Sequence, residues 1–206
     1  MTQRLLIGIS IALFACTTLA GKYNSTLDIG DAAPHWTDLP GVDGQSHSSS
    51  ELEDAKATVV VFTCNSCPYA VDAEDRLIAL TKKYSDQGVA VVAINVNKVP
   101  EDSLDAMKEK AAEKKFPFQY LYDESQQIAR DFGAIYTPCF FVIDSKHKVA
   151  YMGAMDDSPD GVKVETTYLA DALDAVLAGK PVRVAETAPV GCRVRYERQR
   201  RSRRAE

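Results

Sequence analysis

The stretch "FTCNSCPYA", residues 62–70, decides the fold class. It follows a continuous apolar run, Ala57 to Phe62, that has the length and the β-branched composition of a strand. Such a run is typical of a strand buried on both faces, so it predicts a strand in the centre of a sheet. After Cys64 and Cys67, apolar residues recur at helical spacing as far as Tyr84 with charged residues between them, which predicts an amphipathic helix.

Further strand and helix patterns alternate along the chain. They predict strands at 88–97 and around 120–122, helices at 102–115 and 124–132, a hairpin formed by "TPCFFVID" and "KVAYMG", and a last helix at 166–178. This order predicts the α/β class, with a mixed central sheet flanked by helices on both faces. The 206 residues, of which 46% are hydrophobic and 26% charged, are enough to bury one good core.

The position of the cysteine pair predicts redox chemistry. Cys64 follows a buried strand at about the N-cap of the next helix, where unpaired N–H groups and the helix dipole would lower the pKa of its thiol. Cys67 would lie one turn into that helix, close enough for a disulfide with Cys64. A metal site would need two more ligands, and a purely structural disulfide would close too short a loop to stabilise the fold much. Both alternatives stay open beside the redox interpretation, which we favour.

Residues 1–20 have the pattern of an export signal. One Arg precedes the apolar run "LLIGISIALFA", and small residues follow where a cleavage site belongs. A cut after Ala20 would release a periplasmic or otherwise extracytoplasmic protein, and this is the outcome we favour. A cut before Cys16 would instead leave a lipid anchor that tethers the protein to a membrane surface. Because disulfides persist outside the cytosol, export also favours the redox interpretation.

Charge is distributed unevenly along the chain. The formal net charge is −5, yet the segment from Gly191 to Glu206 contains seven Arg and two Glu, so an acidic body carries a basic end. An Arg run can bind phosphates or anionic lipid, but a solvated tail is the commoner meaning and the one we favour. We expect no nucleic-acid partner. After the N-terminal segment, no stretch of the sequence is long and apolar enough to span a bilayer.

These motifs together resemble the thioredoxin-like superfamily. Within it, the chain is similar to the redoxin branch of alkyl hydroperoxide reductase and thiol-specific antioxidant (AhpC/TSA) type, in the peroxiredoxin-like group that carries a CxxC motif. The resemblance covers most of residues 29–196 through "GDAAPHW", "VVVFTCNSCPYAVDAEDRL", "VVAINVN", "FPFQYLYDESQQIARDFGAIYTPCFFVID", "YMGAMDD" and "VGCRVRY". With the signal, it implies three segments: an export signal over 1–20, a thioredoxin-like redoxin domain over 21–185 and a basic C-terminal tail over 186–206.

The resemblance implies a thiol-disulfide oxidoreductase. In this class Cys64 would attack a disulfide, Cys67 would resolve the mixed disulfide, and Pro138 would be a cis-proline facing both. Thr137 would pair its backbone with an extended substrate segment, as a strand adds to a sheet edge. The other predicted substrate-binding residues lie beside the cysteines and are Thr63, Asn65 and Ser66.

The electrons of such an enzyme travel on its cysteines, so we expect neither a metal nor an organic cofactor. The expected partners are protein or small-molecule disulfides and thiols, together with a redox protein that donates or accepts electrons. The direction of exchange would follow from the reduction potential of the pair relative to its compartment.

Departures from the family pattern leave alternatives. Peroxidases of this superfamily carry a Pro-x-x-x-Thr-x-x-Cys signature that neither Cys64 nor Cys67 has, so a thiol peroxidase using Cys64 is the alternative enzyme. A non-catalytic copper(I)-binding or redox-sensing module would use Cys64 and Cys67, to which Cys139 could add a third ligand, since soft thiolates select that ion. Cys139, directly after Pro138, is either a third redox thiol near the pair or a small buried hydrophobe. Cys192 lies in a shared "GC" dipeptide without a predicted role.

Overall fold

A five-stranded mixed sheet forms the centre of the protein, whose computed structural model describes residues 21–198. The strands are β1 Leu39–Pro40, β2 Ser46–His47, β3 Ala57–Thr63, β4 Val89–Asn95, β5 Gln119–Tyr122, β6 Tyr136–Thr137, β7 Cys139–Asp144, β8 Val149–Gly153 and β9 Cys192–Arg193. The α-helices are α1 Pro68–Tyr84, α2 Leu104–Lys114, α3 Gln127–Asp131 and α4 Tyr168–Leu177. Within the described range, none of the helices is long and apolar enough to cross a membrane.

Strand β3 lies in the middle of the sheet, as its apolar run predicts. The order is β5-β4-β3-β7-β8, in which β3, β4 and β5 are parallel and β7 and β8 are antiparallel to their neighbours. The two directions follow from the connections, because crossovers containing α1 and α2 join the parallel strands whereas a tight turn joins β7 to β8. The predicted fold class and the predicted terminal hairpin are confirmed.

Alternate side chains of β3 enter two different cores. Val60 and Phe62 pack on one face of the sheet with residues of α3, and Val59 and Val61 pack on the other face with residues of α1 and α4. Burying each such side chain stabilises the fold by roughly 1.5–3 kcal/mol. The strand is therefore held from both sides, and its carboxyl end, where the cysteines follow, has a fixed position.

Three aromatic rings pack together on the α3 side of the sheet. The ring of Phe62 lies 5.2 Å from that of Phe132 and 5.9 Å from that of Phe141, and the last two are 5.0 Å apart. All three side chains are fully buried. Tilted and edge-on contacts of this kind add about 0.5–1.5 kcal/mol per pair to the burial itself. The cluster fastens α3 to the two adjacent strands at the centre of the sheet.

Helix α1 begins later than the sequence predicts. Its first residue is Pro68 and its N-cap is Cys67, so Cys64 lies in the turn before the helix. Proline is favoured at the first helical position, because its missing N–H would have no partner there in any case. The prediction that Cys64 caps the helix is therefore wrong, and Cys67 takes that position.

The end of the described chain packs onto the domain. The carboxylate of Glu186 accepts hydrogen bonds from the backbone N–H groups of Lys22 and Tyr23, at 2.7 and 2.5 Å. Val194 is buried in the core on the α3 side. The boundary predicted at residue 185 therefore does not separate a free tail, and we name residues 191–197 the C-terminal strap. The predicted export signal and the rest of the Arg run, residues 199–206, lie outside the described residues.

Candidate active site

The cysteine pair lies at the carboxyl end of β3, between the strand and α1. Cys64 and Cys67 are 2% and 1% exposed, and both are free thiols in contact with each other and with Ala70. The two side chains pack against each other in one cluster. A pair this close can form a disulfide with little movement of the chain. Because both thiols are buried, exchange with an external partner requires either an opening or another thiol that reaches the surface.

The turn that carries the pair is held by a buried carboxylate. Asp102 is fully buried, and it accepts hydrogen bonds from Ser66 N at 2.9 Å and from Ser66 Oγ at 2.6 Å. Asn65 donates to the backbone of Glu101 at 3.0 Å and accepts from Tyr120 Oη at the same distance. Hydrogen bonds to a charged acceptor contribute about 1.5–3 kcal/mol each. The side chains of the two residues between the cysteines are therefore bound to the neighbouring loop and strand.

A cis peptide bond faces the cysteines. It joins Thr137 to Pro138, as predicted. The hydroxyl of Thr137 lies 3.4 Å from Cys64 Sγ, and its carbonyl oxygen lies 3.0 Å from Cys67 Sγ. Pro138 lines a small apolar pocket together with Cys64 and Thr63. The structure thus brings all seven of the residues predicted around the pair into one place, whereas the predicted third redox thiol, Cys139, lies elsewhere.

The two thiols of the pair have opposite pKa shifts. The pKa of Cys64 is raised, first because its thiol hydrogen-bonds to Cys67, then because it is buried, and also because Asp102 is negative. The pKa of Cys67 is lowered, first by the thiol of Cys64 and further by Cys192 and the N–H of Ala70. Its place at the N-cap of α1 acts in the same direction. Burial opposes this shift, but the hydrogen-bond donors outweigh it. The electrostatics therefore favour the thiolate at Cys67, whereas the sequence predicts it at Cys64.

Cys139 packs away from the pair. Its side chain joins the core on the α3 side of the sheet, where it is 5% exposed, and burial raises its pKa to about 12. Strand alternation explains this, because Cys139 pairs with Phe62 in the register of β7 and β3 and shares the face of that ring. The position favours a small buried hydrophobe over a redox thiol. It also removes the third ligand that we expected for copper(I), and residues 21–198 contain no group of three or more candidate ligands arranged to hold a metal ion.

The backbone edge predicted for substrate is already paired. Strand β9 of the C-terminal strap runs antiparallel to β6, and Thr137 is opposite Cys192. This close approach requires a glycine at position 191, because a Cβ there would overlap the carbonyl of Thr137. The chain itself therefore occupies the edge at which a substrate segment is predicted to pair with Thr137, and the substrate-binding role of Thr137 stays a prediction.

Cys192 is the third thiol of the site. It packs against the cluster of Cys64, Cys67 and Ala70, and it is partly exposed. Its pKa is raised to about 11, first by burial and then by its hydrogen bond with Cys67 and the charge of that residue. Sequence reasoning matched its "GC" dipeptide but gave it no role, and it missed Asp102 altogether. The Gly before Cys192 was the available signal, because a glycine beside a reactive residue often marks a close backbone approach.

Comparisons with known proteins agree with this architecture. The sequence model described as the AhpC/TSA family matches residues 29–152. No curated protein matches the chain. Among solved structures, a hypothetical protein of Sinorhizobium meliloti 1021 is 33% identical with a TM-score of 0.79, covering 84% of this chain and 97% of its own. An uncharacterized conserved protein of Geobacillus kaustophilus is 35% identical with a TM-score of 0.80, covering 86% and 96%.

A third similar structure has a described activity. It is a protein of Chlorobium tepidum provisionally assigned as the thiol:disulfide interchange protein DsbE, 25% identical with a TM-score of 0.61, and the match covers 73% of this chain and 99% of the other. The family match spans more than half of the chain, and the sheet order and the cis-proline are as the resemblance implied. The chain therefore belongs to the AhpC/TSA family, in the redoxin branch of the thioredoxin-like superfamily.

Proposed function

We propose that the protein is a thiol-disulfide oxidoreductase whose redox centre is the pair Cys64 and Cys67. The observation that carries the proposal is the contact between the two buried thiols, both of which lie against Thr137 beside the cis peptide of Pro138. The family supports redox chemistry in general, and the similarity to an interchange protein supports disulfide exchange in particular.

The reaction is a pair of thiolate displacements. One thiolate attacks a substrate disulfide, a mixed disulfide forms, and one substrate sulfur leaves as a thiolate that takes up a proton. The second thiol of the pair then loses its proton and attacks the first, so that the Cys64–Cys67 disulfide forms and the second substrate thiol leaves. The substrate disulfide gains two electrons and the pair loses two, and the reverse direction oxidises a substrate dithiol.

The pKa shifts favour Cys67 as the attacking thiolate. Its pKa is lowered while that of Cys64 is raised, and a thiolate is the nucleophile in this reaction. We therefore propose that Cys67 attacks and that Cys64 resolves, which exchanges the roles predicted from the sequence. Thr137 contributes its hydroxyl to Cys64 and its carbonyl to Cys67, so it positions both sulfurs.

A redox titration tests the proposal. The full chain is equilibrated in glutathione buffers of increasing potential, free thiols are alkylated, and disulfides are assigned by peptide mass. We expect a reversible two-electron couple between Cys64 and Cys67 that is lost in Cys64→Ser and in Cys67→Ser. Cys139→Ala serves as a control, because it removes a buried thiol outside the cluster. Thiols that stay reduced at every potential would refute the oxidoreductase.

Trapping of the mixed disulfide tests the order of attack. Cys192→Ala is combined with Cys64→Ser or with Cys67→Ser, so that a single thiol remains at the site. Oxidised glutathione should trap Cys67 in the first variant much faster than Cys64 in the second at pH 6. If Cys64 is trapped faster, the roles predicted from the sequence apply instead.

A thiol peroxidase is the second candidate. The family and the lowered pKa of Cys67 at a helix N-terminus favour it, although the peroxidase signature is lacking. In that reaction a thiolate attacks hydrogen peroxide to form a sulfenic acid, and the hydroxide that leaves takes up a proton to become water. The sulfenic acid then condenses with the other thiol to a disulfide, with loss of a second water. Stopped-flow mixing of the reduced protein with hydrogen peroxide decides between the two. A rate no greater than that of free cysteine would exclude the peroxidase, and a rate orders of magnitude greater would establish it.

We also propose that the protein acts outside the cytoplasm on disulfides or thiols of exported proteins. A redox partner in the same compartment would donate or accept the electrons. The support is the pattern of residues 1–20, together with a dithiol centre suited to an oxidising compartment. Fractionation of bacterial cells expressing the full chain, and the same chain lacking residues 2–20, tests this. Export should be lost in the shortened chain, and Cys16→Ser should change the site of cleavage only if the protein is lipid-anchored.

A further inference from the structure

We propose that Cys192 is a third redox thiol of this centre, and that it exchanges with the Cys64–Cys67 disulfide to form a Cys67–Cys192 disulfide. This inference rests on the proposed function and adds a step to it. The partly exposed Cys192 becomes the sulfur through which the buried pair communicates with external thiols and disulfides.

The position of Cys192 is built into the fold from both sides. Upstream of it, Gly191 lets the strap approach the backbone of Thr137 closely enough for β9 to pair with β6. Downstream, Val194 is buried in the core and donates its backbone N–H to Ile135 O at 3.0 Å. A residue fixed on either side by backbone pairing and burial has little freedom, so the contact of Cys192 with the cluster is part of the folded structure.

The strap is anchored further along by a chain of polar contacts. The amide of Gln126 donates to Arg195 O at 3.0 Å and its carbonyl oxygen accepts from Glu197 N at 2.8 Å. The guanidinium of Arg130 lies 4.2 Å from the centre of the Tyr196 ring and donates to Glu197 O at 2.9 Å. These contacts lie outside the redox pair. Because none of them involves Cys64 or Cys67, a disulfide between these two residues removes none of the contacts that hold the strap.

The register places Cys192 where a substrate cysteine would be expected. The sequence predicts that an extended substrate segment pairs with Thr137, and in the structure the residue opposite Thr137 is Cys192. Its side chain packs against the cluster of Cys64, Cys67 and Ala70. The chain therefore carries its own cysteine, on its own strand, at the edge next to the redox pair.

The exchange is balanced without an external oxidant or reductant. Cys192 loses its proton and attacks Cys67 Sγ, the bond between Cys64 and Cys67 breaks, and Cys64 leaves as a thiolate that takes up the proton. One disulfide is replaced by another, so no electrons enter or leave the protein. Cys192 is the attacking sulfur, Cys67 is the sulfur shared by both disulfides, and Cys64 becomes the free thiol. An external thiolate can then attack the partly exposed Cys192 Sγ, which forms a mixed disulfide with Cys192 and releases Cys67 as a thiolate that takes up a proton. A second external thiol attacks the mixed disulfide and completes the reduction.

Exposure explains why such a step is useful. The sulfurs of the original pair belong to residues that are 2% and 1% exposed, so direct attack by an external thiol requires the strap to open. Exchange with Cys192 carries the disulfide outward while the strap stays closed. Cys192 therefore has a chemical role in disulfide exchange, in addition to shielding Cys67 from solvent.

Disulfide mapping tests the inference on the full chain. Protein is oxidised with oxidised glutathione, free thiols are alkylated in acid, and linked peptides are identified by mass. We expect the Cys64→Ser variant to form the Cys67–Cys192 disulfide. When Cys192→Ala is added to it, oxidation should end with a mixed disulfide between Cys67 and glutathione. Cys64→Ser combined with Cys139→Ala is the matched control and should still form the disulfide.

The variant Gly191→Ala tests the geometry while all the cysteines are kept. Its added Cβ should displace the strap, and we expect at least an about fivefold smaller ratio of Cys67–Cys192 to Cys64–Cys67 disulfide than in the unaltered chain. An unchanged ratio would contradict the placement of Cys192 by the strap.

A kinetic measurement separates a redox role from a covering role. The oxidised chain is mixed with reduced glutathione, and the loss of disulfide is followed with and without Cys192→Ala. If Cys192 relays the disulfide, the variant reacts more slowly. If Cys192 only covers the site, the smaller alanine opens it and the variant reacts faster, which overturns the inference.

The two proposals fail in different ways. The first case is a Cys64→Ser variant in which Cys67 keeps its mixed disulfide with glutathione, while the unaltered chain shows an intact Cys64–Cys67 couple. This result would refute the redox role of Cys192 and still support the oxidoreductase. A Cys67–Cys192 disulfide without any Cys64–Cys67 disulfide would instead refute the CxxC couple and show that the contact with Cys192 is redox-active.

Discussion

The substitution Gly191→Ala should expose Cys67 to alkylation without unfolding the protein. An added Cβ would overlap the carbonyl of Thr137, which is backbone and cannot rotate away. Overpacking of this kind costs about 1–3 kcal/mol, and here the strain is relieved when the strap lifts from β6. Since about 1.4 kcal/mol changes an equilibrium tenfold, the open state should become about 5 to 150 times more populated.

The assay is a time course of alkylation by iodoacetamide, read by mass at each cysteine of the reduced protein. Cys67 is 1% exposed, so its alkylation rate follows the population of the open state, and the rate should rise by the same factor. Cys139 lies in the core and reports on global unfolding, so its rate should change much less. Val190→Ala, a truncation of an exposed neighbour, is the matched control and should leave Cys67 at its original rate.

Two results would refute this reasoning. An unchanged alkylation rate of Cys67 in Gly191→Ala would mean that the strap does not limit access to it. Equal acceleration at Cys67 and Cys139 would mean that the substitution destabilises the whole domain, and that the strap is not a separate opening unit.

Three other predictions concern the pair and the core. Because the pKa of Cys67 is lowered, its alkylation rate in the reduced protein should stay constant as the pH falls from 8 to 6. The alkylation rate of an ordinary thiol falls about tenfold per pH unit below a pKa of about 8.5, and such a fall at Cys67 would contradict the shift. Asp102→Asn should lower the pKa of Cys64, since it removes a negative charge that raises this pKa. If the alkylation rate of Cys64 began to fall at a higher pH in the variant than in the unaltered chain, this would count against the prediction. Phe141→Ala should lower the free energy of unfolding in urea by about 3–5 kcal/mol, because the ring is fully buried against two others, while Val162→Ala at a surface position should change it by less than about 0.5 kcal/mol.

Most of the fold could be predicted because its signals are local. The apolar run before Cys64 is long enough to identify a strand buried on both faces, and the structure places β3 in the centre of the sheet. The same holds for β4, whose apolar run follows a glycine with positive φ at position 88. The Thr137–Pro138 bond is cis, as the family resemblance implied. Local patterns define these elements, and the sheet then has few ways to assemble.

The start of α1 could not be placed from the pattern alone. The apolar spacing runs through residues 70–84 and leaves the first turn undefined, so both cysteines could belong to the helix. The deciding contact is the one between Ser66 and Asp102, which are far apart in sequence and pull the turn out of helical geometry. With the turn held in this way, the helix cap is Cys67 and not Cys64.

The sequence by itself determined the class of the protein, its central strand and the pair of thiols that we propose as its redox centre, because each of these is encoded in fewer than twenty consecutive residues. Only the tertiary structure decided which cysteines meet. Strand alternation turns Cys139 into the core although it directly follows Pro138, and the strap brings Cys192 from the other end of the chain to Cys67. Such pairings depend on register and on the packing of distant segments, and no local pattern contains them.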